Sequence, residues 1–156
     1  MDKLSQIVLL SLGGVLGVNA RYWFGLWVSR YAGSQFPWAT FFINVSGSFL
    51  IGFFTMVLTR WLPHHHMRLL VITGFLGGYT TYSSFALESV MLWERGEKSL
   101  SLAYVAATVI VGFLAVLLGM ALGSNLTNPQ NDRAARAKSQ TQIASGDEPL
   151  IPGEWR

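Results

Sequence analysis

Between Arg68 and Glu88 the chain reads Leu69-Leu70-Val71-Ile72-Thr73-Gly74-Phe75-Leu76-Gly77-Gly78-Tyr79-Thr80-Thr81-Tyr82-Ser83-Ser84-Phe85-Ala86-Leu87, 19 residues without one Asp, Glu, Lys or Arg. A helix that crosses bilayer hydrocarbon takes ~20 mostly apolar residues, so the length fits one span. Three further charge-free runs surround it, at 4–20, 31–59 and 99–131, of 17, 29 and 33 residues. Only 12% of the 156 residues are charged, against ~25% in an average soluble domain, and mean hydropathy is +0.40. The pattern predicts an all-α membrane protein with four transmembrane helices. It excludes a soluble enzyme, and the absence of Cys excludes a disulfide scaffold and thiolate metal sites.

The spacing places the helices at 5–28, 39–61, 67–93 and 100–123. Turn chemistry joins them: Gly33-Ser34-Gln35-Phe36-Pro37, then Pro63-His64-His65-His66, then Glu94-Arg95-Gly96-Glu97-Lys98. Trp38, Trp61 and Trp93 fall at predicted helix ends, where indole rings favour the headgroup layer. No small-residue cleavage site stands out after the first helix and three spans follow it, so it is read as retained, not as a secretory signal. After Gly123 the composition turns to Asn, Gln, Asp, Arg and Ser, with Pro at 129, 149 and 152. Such a segment buries too little apolar surface to offset its ordering entropy. The chain therefore divides into a transmembrane domain, 1–123, and a polar, disordered tail, 124–156.

An even helix count puts both termini on one side. Lys3, Arg60 and Arg68 lie on that side and Arg30, Arg95 and Lys98 on the other, with Arg21 a doubtful fourth, a near balance that permits insertion in either orientation; the tail's Arg133, Arg136 and Lys138, if counted, tip it toward termini inside. The net charge of +3 sits at helix ends and in the tail, a pattern for lipid headgroups and not for nucleic acid. His64-His65-His66 are neighbours on a loop with no carboxylate nearby and are not read as a metal site.

Ionisable groups inside a membrane are the first functional candidates. Arg21 lies in the last third of the first helix and Glu88 in the last third of the third, so no carboxylate is placed centrally for proton exchange. Neutral groups dominate instead. Asn44, Ser48, Gly52 and Thr55 share one face of the second helix, and Tyr104, Thr108, Gly112, Ala115 and Gly119 one face of the fourth. Gly13-x-x-x-Gly17, Gly74-x-x-x-Gly78 and Gly119-x-x-x-Gly123 have the spacing for close helix approach, within the chain or between copies; together they favour a dimer.

In the third helix Gly74, Gly77 and Gly78 are followed by Thr80, Thr81, Ser83 and Ser84. Gly in a helix interior costs ~1 kcal/mol relative to Ala, and hydroxyls compete for backbone partners. A break near residues 77–80, at mid-membrane depth, is the expectation. Tyr82 and Phe85 share a helix face and offer ring edges of positive quadrupole density. Asn44, Ser84, Tyr104 and Thr108 add N–H or O–H donors. That uncharged set fits a small, strongly hydrated anion, which needs dense donors in place of its water. No nucleophile and base are placed to act on a substrate, so the chain is not read as an enzyme.

Gly13-Gly14-x-x-Gly17-x-x-x-Arg21-Tyr22, Thr40-x-x-x-Asn44-x-x-Gly47-Ser48-Phe49-x-x-Gly52 and Thr73-Gly74-Phe75-Leu76-Gly77-Gly78-x-Thr80-Thr81-x-Ser83-x-Phe85-x-x-Glu88, in this order, resemble the Fluc/CrcB family of fluoride channels. The likeness extends to Glu94-Arg95-Gly96 and covers most of residues 5–123. It implies an antiparallel, dual-topology homodimer in the cell's inner membrane, with two fluoride pores along the dimer interface. The implied role is passive export of fluoride that enters acidified cells as undissociated hydrogen fluoride and is trapped as the anion. The resemblance assigns the fluoride pathway to Asn44, Tyr82, Ser83, Ser84, Phe85, Tyr104 and Thr108, with Arg21 and Glu88 in support. It also implies one structural sodium ion on the two-fold axis, held by the main-chain carbonyls of Gly77 and Thr80 from both subunits. The first ring position is usually phenylalanine in the family; here Tyr82 adds a phenol O–H. Asn19, beside the Arg21 motif, has no assigned role. Rival readings are a non-transporting membrane scaffold subunit and a small multidrug-type transporter, which would depend on Glu88.

Overall fold

Glycine corners and a proline-led start set where the long helices begin and end. The computed structural model describes residues 2–33, 35–61 and 65–127. Helix α1 (Lys3–Tyr31) closes with the Ala32 amide donating to the Val28 carbonyl, and Gly33 then turns the chain at φ +72°. Pro37 leads into α2 (Trp38–Trp61), its carbonyl accepting from the Phe41 amide. The third part of the chain is segmented: α3 (His65–Arg68), a π-helical stretch (Leu69–Leu76), α4 (Gly77–Tyr79) and α5 (Tyr82–Glu94). Helix α6 (Lys98–Leu126) completes the fold, and the described residues contain no strand. Gly96 makes the corner between α5 and α6 at φ +85°. A residue with a β-carbon pays ~1–2 kcal/mol in that conformation. Gly96→Ala is therefore expected to lower the Tm by a loss of that size, measured by thermal unfolding in detergent.

Helices α1, α2 and α6 are each long and apolar enough to cross a membrane. The predicted third span, 67–93, is not one helix. Helical geometry stops after Tyr79 and resumes at Tyr82. At about 1.5 Å per residue, the 13 residues of α5 reach only ~20 Å, short of the ~30 Å of bilayer hydrocarbon. Three of the four predicted spans are thus continuous apolar helices, and the third, where a break near residues 77–80 is the expectation, is the segmented stretch. Helix α6 also runs past Gly123 to Leu126, and the Thr127 hydroxyl bonds back to the Gly123 carbonyl. The first residues of the expected tail are therefore part of the helix. The tail from 128 onward lies outside the described residues, as do Ser34, Leu62, Pro63 and His64 of the expected loops. His65 and His66 open α3 and are not loop residues.

Close backbone contact organises the packing. A β-carbon at Gly13 would overlap the Leu70 carbonyl, one at Gly17 the Phe75 carbonyl, and one at Gly78 would sit 2.8 Å from the Gly14 carbonyl oxygen. Gly119 meets the Phe49 carbonyl and Gly123 the Met56 side chain in the same way, and Gly52 meets the Val116 carbonyl. All three small-residue pairs are thus spent inside the chain, α1 on the segmented stretch and α6 on α2, and carry no argument for a second copy. Helices α2 and α6 share the most extensive interface. The buried cluster Phe85, Leu92 and Tyr104, flanked by Phe36, Phe41 and Leu100, ties α5 and α6 to the start of α2. Outward, α1 and α6 expose Leu12, Leu16, Leu114 and Leu118 among many large apolar side chains. In water such a surface would aggregate; in a bilayer it is the solvated face.

Candidate functional site

In an α-helix each amide donates four residues back. Thr80 still does so, its amide reaching the Leu76 carbonyl at 3.0 Å, and its hydroxyl donates to the same oxygen at 3.0 Å. There the ladder ends. Thr80 (φ −77°, ψ 156°) and Thr81 (φ −147°, ψ 107°) are extended. The Thr81 amide, whose helical acceptor would be the Gly77 carbonyl, donates instead to Asn44 Oδ1 at 2.8 Å. Asn44 Nδ2 in turn donates to the Thr81 carbonyl at 3.0 Å. Thr81 then caps α5: its Oγ1 accepts from the Ser84 amide at 3.2 Å and donates to Ser84 Oγ at 3.0 Å. Ser83 Oγ lies 3.4 Å from the same hydroxyl.

Three other elements press on this extended pair. Half-buried Arg21 points Nη1 at the Thr80 carbonyl from 3.4 Å, so its guanidinium is drawn inward. Gly47 on α2 leaves room for the Thr80 methyl, which a β-carbon would overlap. Tyr79 stacks on Phe75 with rings 3° from parallel and shares a 2.9 Å hydrogen bond with Ser46 Oγ.

Beside the pair opens a groove of about 520 Å³, walled by Asn44, Ser48, Thr73, Gly77, Thr80, Tyr82, Phe85 and Thr108 with aliphatic neighbours and no charged side chain. Tyr82 stands on its rim, 80% exposed, its ring centroid 5.9 Å from that of buried Phe85. Thr108 is buried and its hydroxyl has no hydrogen-bond partner among the described residues. A buried polar group left in that condition costs about 1–3 kcal/mol.

A second cluster lies against Phe85. Tyr104, fully buried, meets the Phe85 ring edge-on at 5.3 Å and donates its phenol proton to Glu88 Oε2 at 2.8 Å. Thr40 donates to Glu88 Oε1 at 2.8 Å. The carboxylate therefore accepts one hydroxyl on each oxygen. It also borders a separate cavity of about 300 Å³ together with Ser29, Gln35 and Arg95.

Of the residues singled out from sequence, Asn44, Gly77, Thr80, Tyr82, Phe85 and Thr108 meet at the groove. Ser83 and Ser84 sit at the α5 cap, and Tyr104 belongs with Glu88. Asn19 bonds its own helix, at the Val15 carbonyl. Thr40 was not anticipated in any site. Its signal was available: it lies four residues before Asn44, on the same face of α2.

Comparison with known proteins places these residues in a family. The model described as CrcB-like protein, Camphor Resistance (CrcB), matches residues 8–120. A fluoride-specific ion channel FluC of Agrobacterium fabrum is 47% identical over 122 residues, covering 78% of this chain and 98% of that protein. FluC of Rhizobium meliloti is 46% identical over 120 residues, covering 76% and 96%. FluC 1 of Nitrobacter hamburgensis is 42% identical over 119 residues, covering 76% and 94%. With α2, the whole segmented stretch and most of α1 and α6 inside the matched region, the chain belongs to the CrcB family.

Proposed function

We propose that this chain forms a fluoride-selective channel through which fluoride leaves the cytoplasm passively. The observation that carries the reading is the Thr108 hydroxyl, a buried donor without a partner among the described residues, on the wall of an uncharged groove. Buried polar groups are paired almost everywhere in folded proteins, so an orphan donor marks a place where something else binds. Thr108, the Tyr82 phenol and the Asn44 hydrogen not used on Thr81 offer O–H and N–H donors without a fixed charge. Such a wall replaces part of a hydration shell yet lets the ion go. Fluoride, the smallest halide, gains most from donors this dense. The relatives' name, fluoride-specific ion channel, points the same way.

The finer parts of the proposal follow the same residues. The segmented stretch 65–94 makes the fourth crossing, with residues 80–81 at mid-membrane depth. Two copies associate antiparallel in the inner membrane, and the second copy closes the groove over exposed Tyr82 and Ser83. The near-balanced basic residues support insertion both ways. Sodium would be held by the Gly77 and Thr80 carbonyls. The Thr81 amide has left the first for Asn44, and among the described residues the second receives the 3.4 Å approach of Arg21, so both keep lone pairs for a hard cation. When bound, sodium supplies a fixed positive charge beside the groove, which favours anion occupancy.

Purified full-length protein in liposomes loaded with fluoride and chloride is expected to release fluoride and retain chloride. Release of both, or of neither, would refute the reading. Flux that required a proton gradient and stopped in Glu88→Gln would favour a transporter. Tyr82→Phe, which keeps the ring and removes the phenol, is expected to retain fluoride efflux in the same assay.

A further inference from the structure

The resemblance puts Asn44 in the ion pathway; its contacts give it a different task. We infer that Asn44 is a positioning residue whose carboxamide diverts the Thr81 amide from the Gly77 carbonyl and so keeps residues 80–81 extended. Its two bonds to Thr81, at 2.8 and 3.0 Å, reproduce with one side chain the paired exchange of neighbouring β-strands. A carboxamide carries an acceptor and a donor side by side on one uncharged group. Thr81 is 7% exposed, so bulk water cannot satisfy its amide. Without Asn44 the nearest acceptor in chain order is the Gly77 carbonyl, and that bond would make the helix continuous.

Helix α2 holds the same spot twice. Asn44 supplies the polar hold on Thr81, and Gly47, three residues on and on the same face, receives the Thr80 methyl. The consequences reach the groove, because Gly77, Thr80 and Tyr82 line it and all three move if the extended pair coils into helix. Asn44 thus shapes the pathway by fixing a main chain 37 residues away, whether or not its remaining amide hydrogen touches an ion.

Thr80-Thr81 is the only Thr-Thr pair in the sequence, so protein labelled with ¹³C,¹⁵N-threonine gives one Thr80 carbonyl–Thr81 nitrogen correlation. The test records it for full-length protein in fluoride-free liposomes, with fluoride efflux measured in parallel. Asn44→Leu keeps the approximate size and loses both bonds; Asn44→Ser is too short for either bond. Both are expected to shift the correlation, Asn44→Ser toward helical values, and both to lose efflux. Adding Tyr82→Pro supplies an independent hold, since proline suits the first helical position and keeps the preceding residue extended. The double variant Asn44→Ser/Tyr82→Pro is expected to return Thr81 to extended shifts, and it decides the matter if Asn44→Ser alone does not fold. An unmoved correlation in both single variants overturns the proposal, since Asn44 would then act on the ion alone. A moved correlation with efflux intact, or a double variant that stays helical at Thr81, overturns it as well. The efflux arm rests on the channel reading. Absence of efflux from the native protein would sink that reading and leave the shift comparison valid.

Discussion

Gly17→Ala is expected to cost the protein most of its stability, while Gly14→Ala, the same chemical change three residues earlier on α1, leaves it folded. A β-carbon at Gly17 would overlap the Phe75 carbonyl and approach the Tyr79 amide nitrogen to 2.9 Å; one at Gly14 meets nothing within 4 Å. Overpacking typically costs about 1–3 kcal/mol when side chains can yield. The atoms in the way here belong to the main chain, so α1 or the segmented stretch must move as a body. The expected loss therefore exceeds that range, a large part of the ~5–15 kcal/mol that holds a domain together. The yielding element would carry Tyr79 and the adjoining extended pair with it, so efflux should vanish even in any folded fraction. Size-exclusion profiles, Tm in detergent and liposome efflux of the two variants give the comparison. Equal Tm values for the pair would show that the contact between α1 and the segmented stretch is not a determinant of the fold.

The glycine spacing on α1 was legible as a demand for close approach, and its partner was not. A small-x-x-x-small pair states that two backbones come together and says nothing about whether the second backbone is in the same chain. Charge-free runs located the spans for a similar reason: length and apolarity are additive along the chain. The segmentation of the third run was only half visible. Gly77, Gly78 and the threonines marked weak helix, but the group that receives the Thr81 amide is Asn44, on another helix and far away in sequence. Periodicity places Asn44 on a face and cannot say which main chain that face will meet. The same holds for Glu88, whose two hydroxyl donors, Thr40 and Tyr104, come from α2 and α6. Tyr104 looked like a donor for an ion on a face shared with Thr108; in the fold its proton is given to Glu88, and Thr108 brings to the groove a hydroxyl with no partner among the described residues.

Thr108→Val is expected to stabilise the protein and slow the channel, two effects of opposite sign from one atom. Valine has the outline of threonine with a methyl in place of the hydroxyl. The usual penalty for that exchange is a lost hydrogen bond, and Thr108 has none among the described residues. Removing an unsatisfied buried hydroxyl recovers up to about 1–3 kcal/mol, so Tm should rise. A hydrogen bond to a charged acceptor contributes about 1.5–3 kcal/mol. At ~1.36 kcal/mol per decade in rate, losing such a donor on the permeation path slows fluoride efflux roughly ten- to a hundredfold. Thr108→Ser keeps the donor and drops only a methyl, so efflux should persist with a slightly lower Tm. A residue there for packing alone would leave efflux in Thr108→Val near the native rate. A hydroxyl with a structural partner would lower Tm in the same variant. Only a donor held in reserve for a passing ion separates the two readouts in opposite directions.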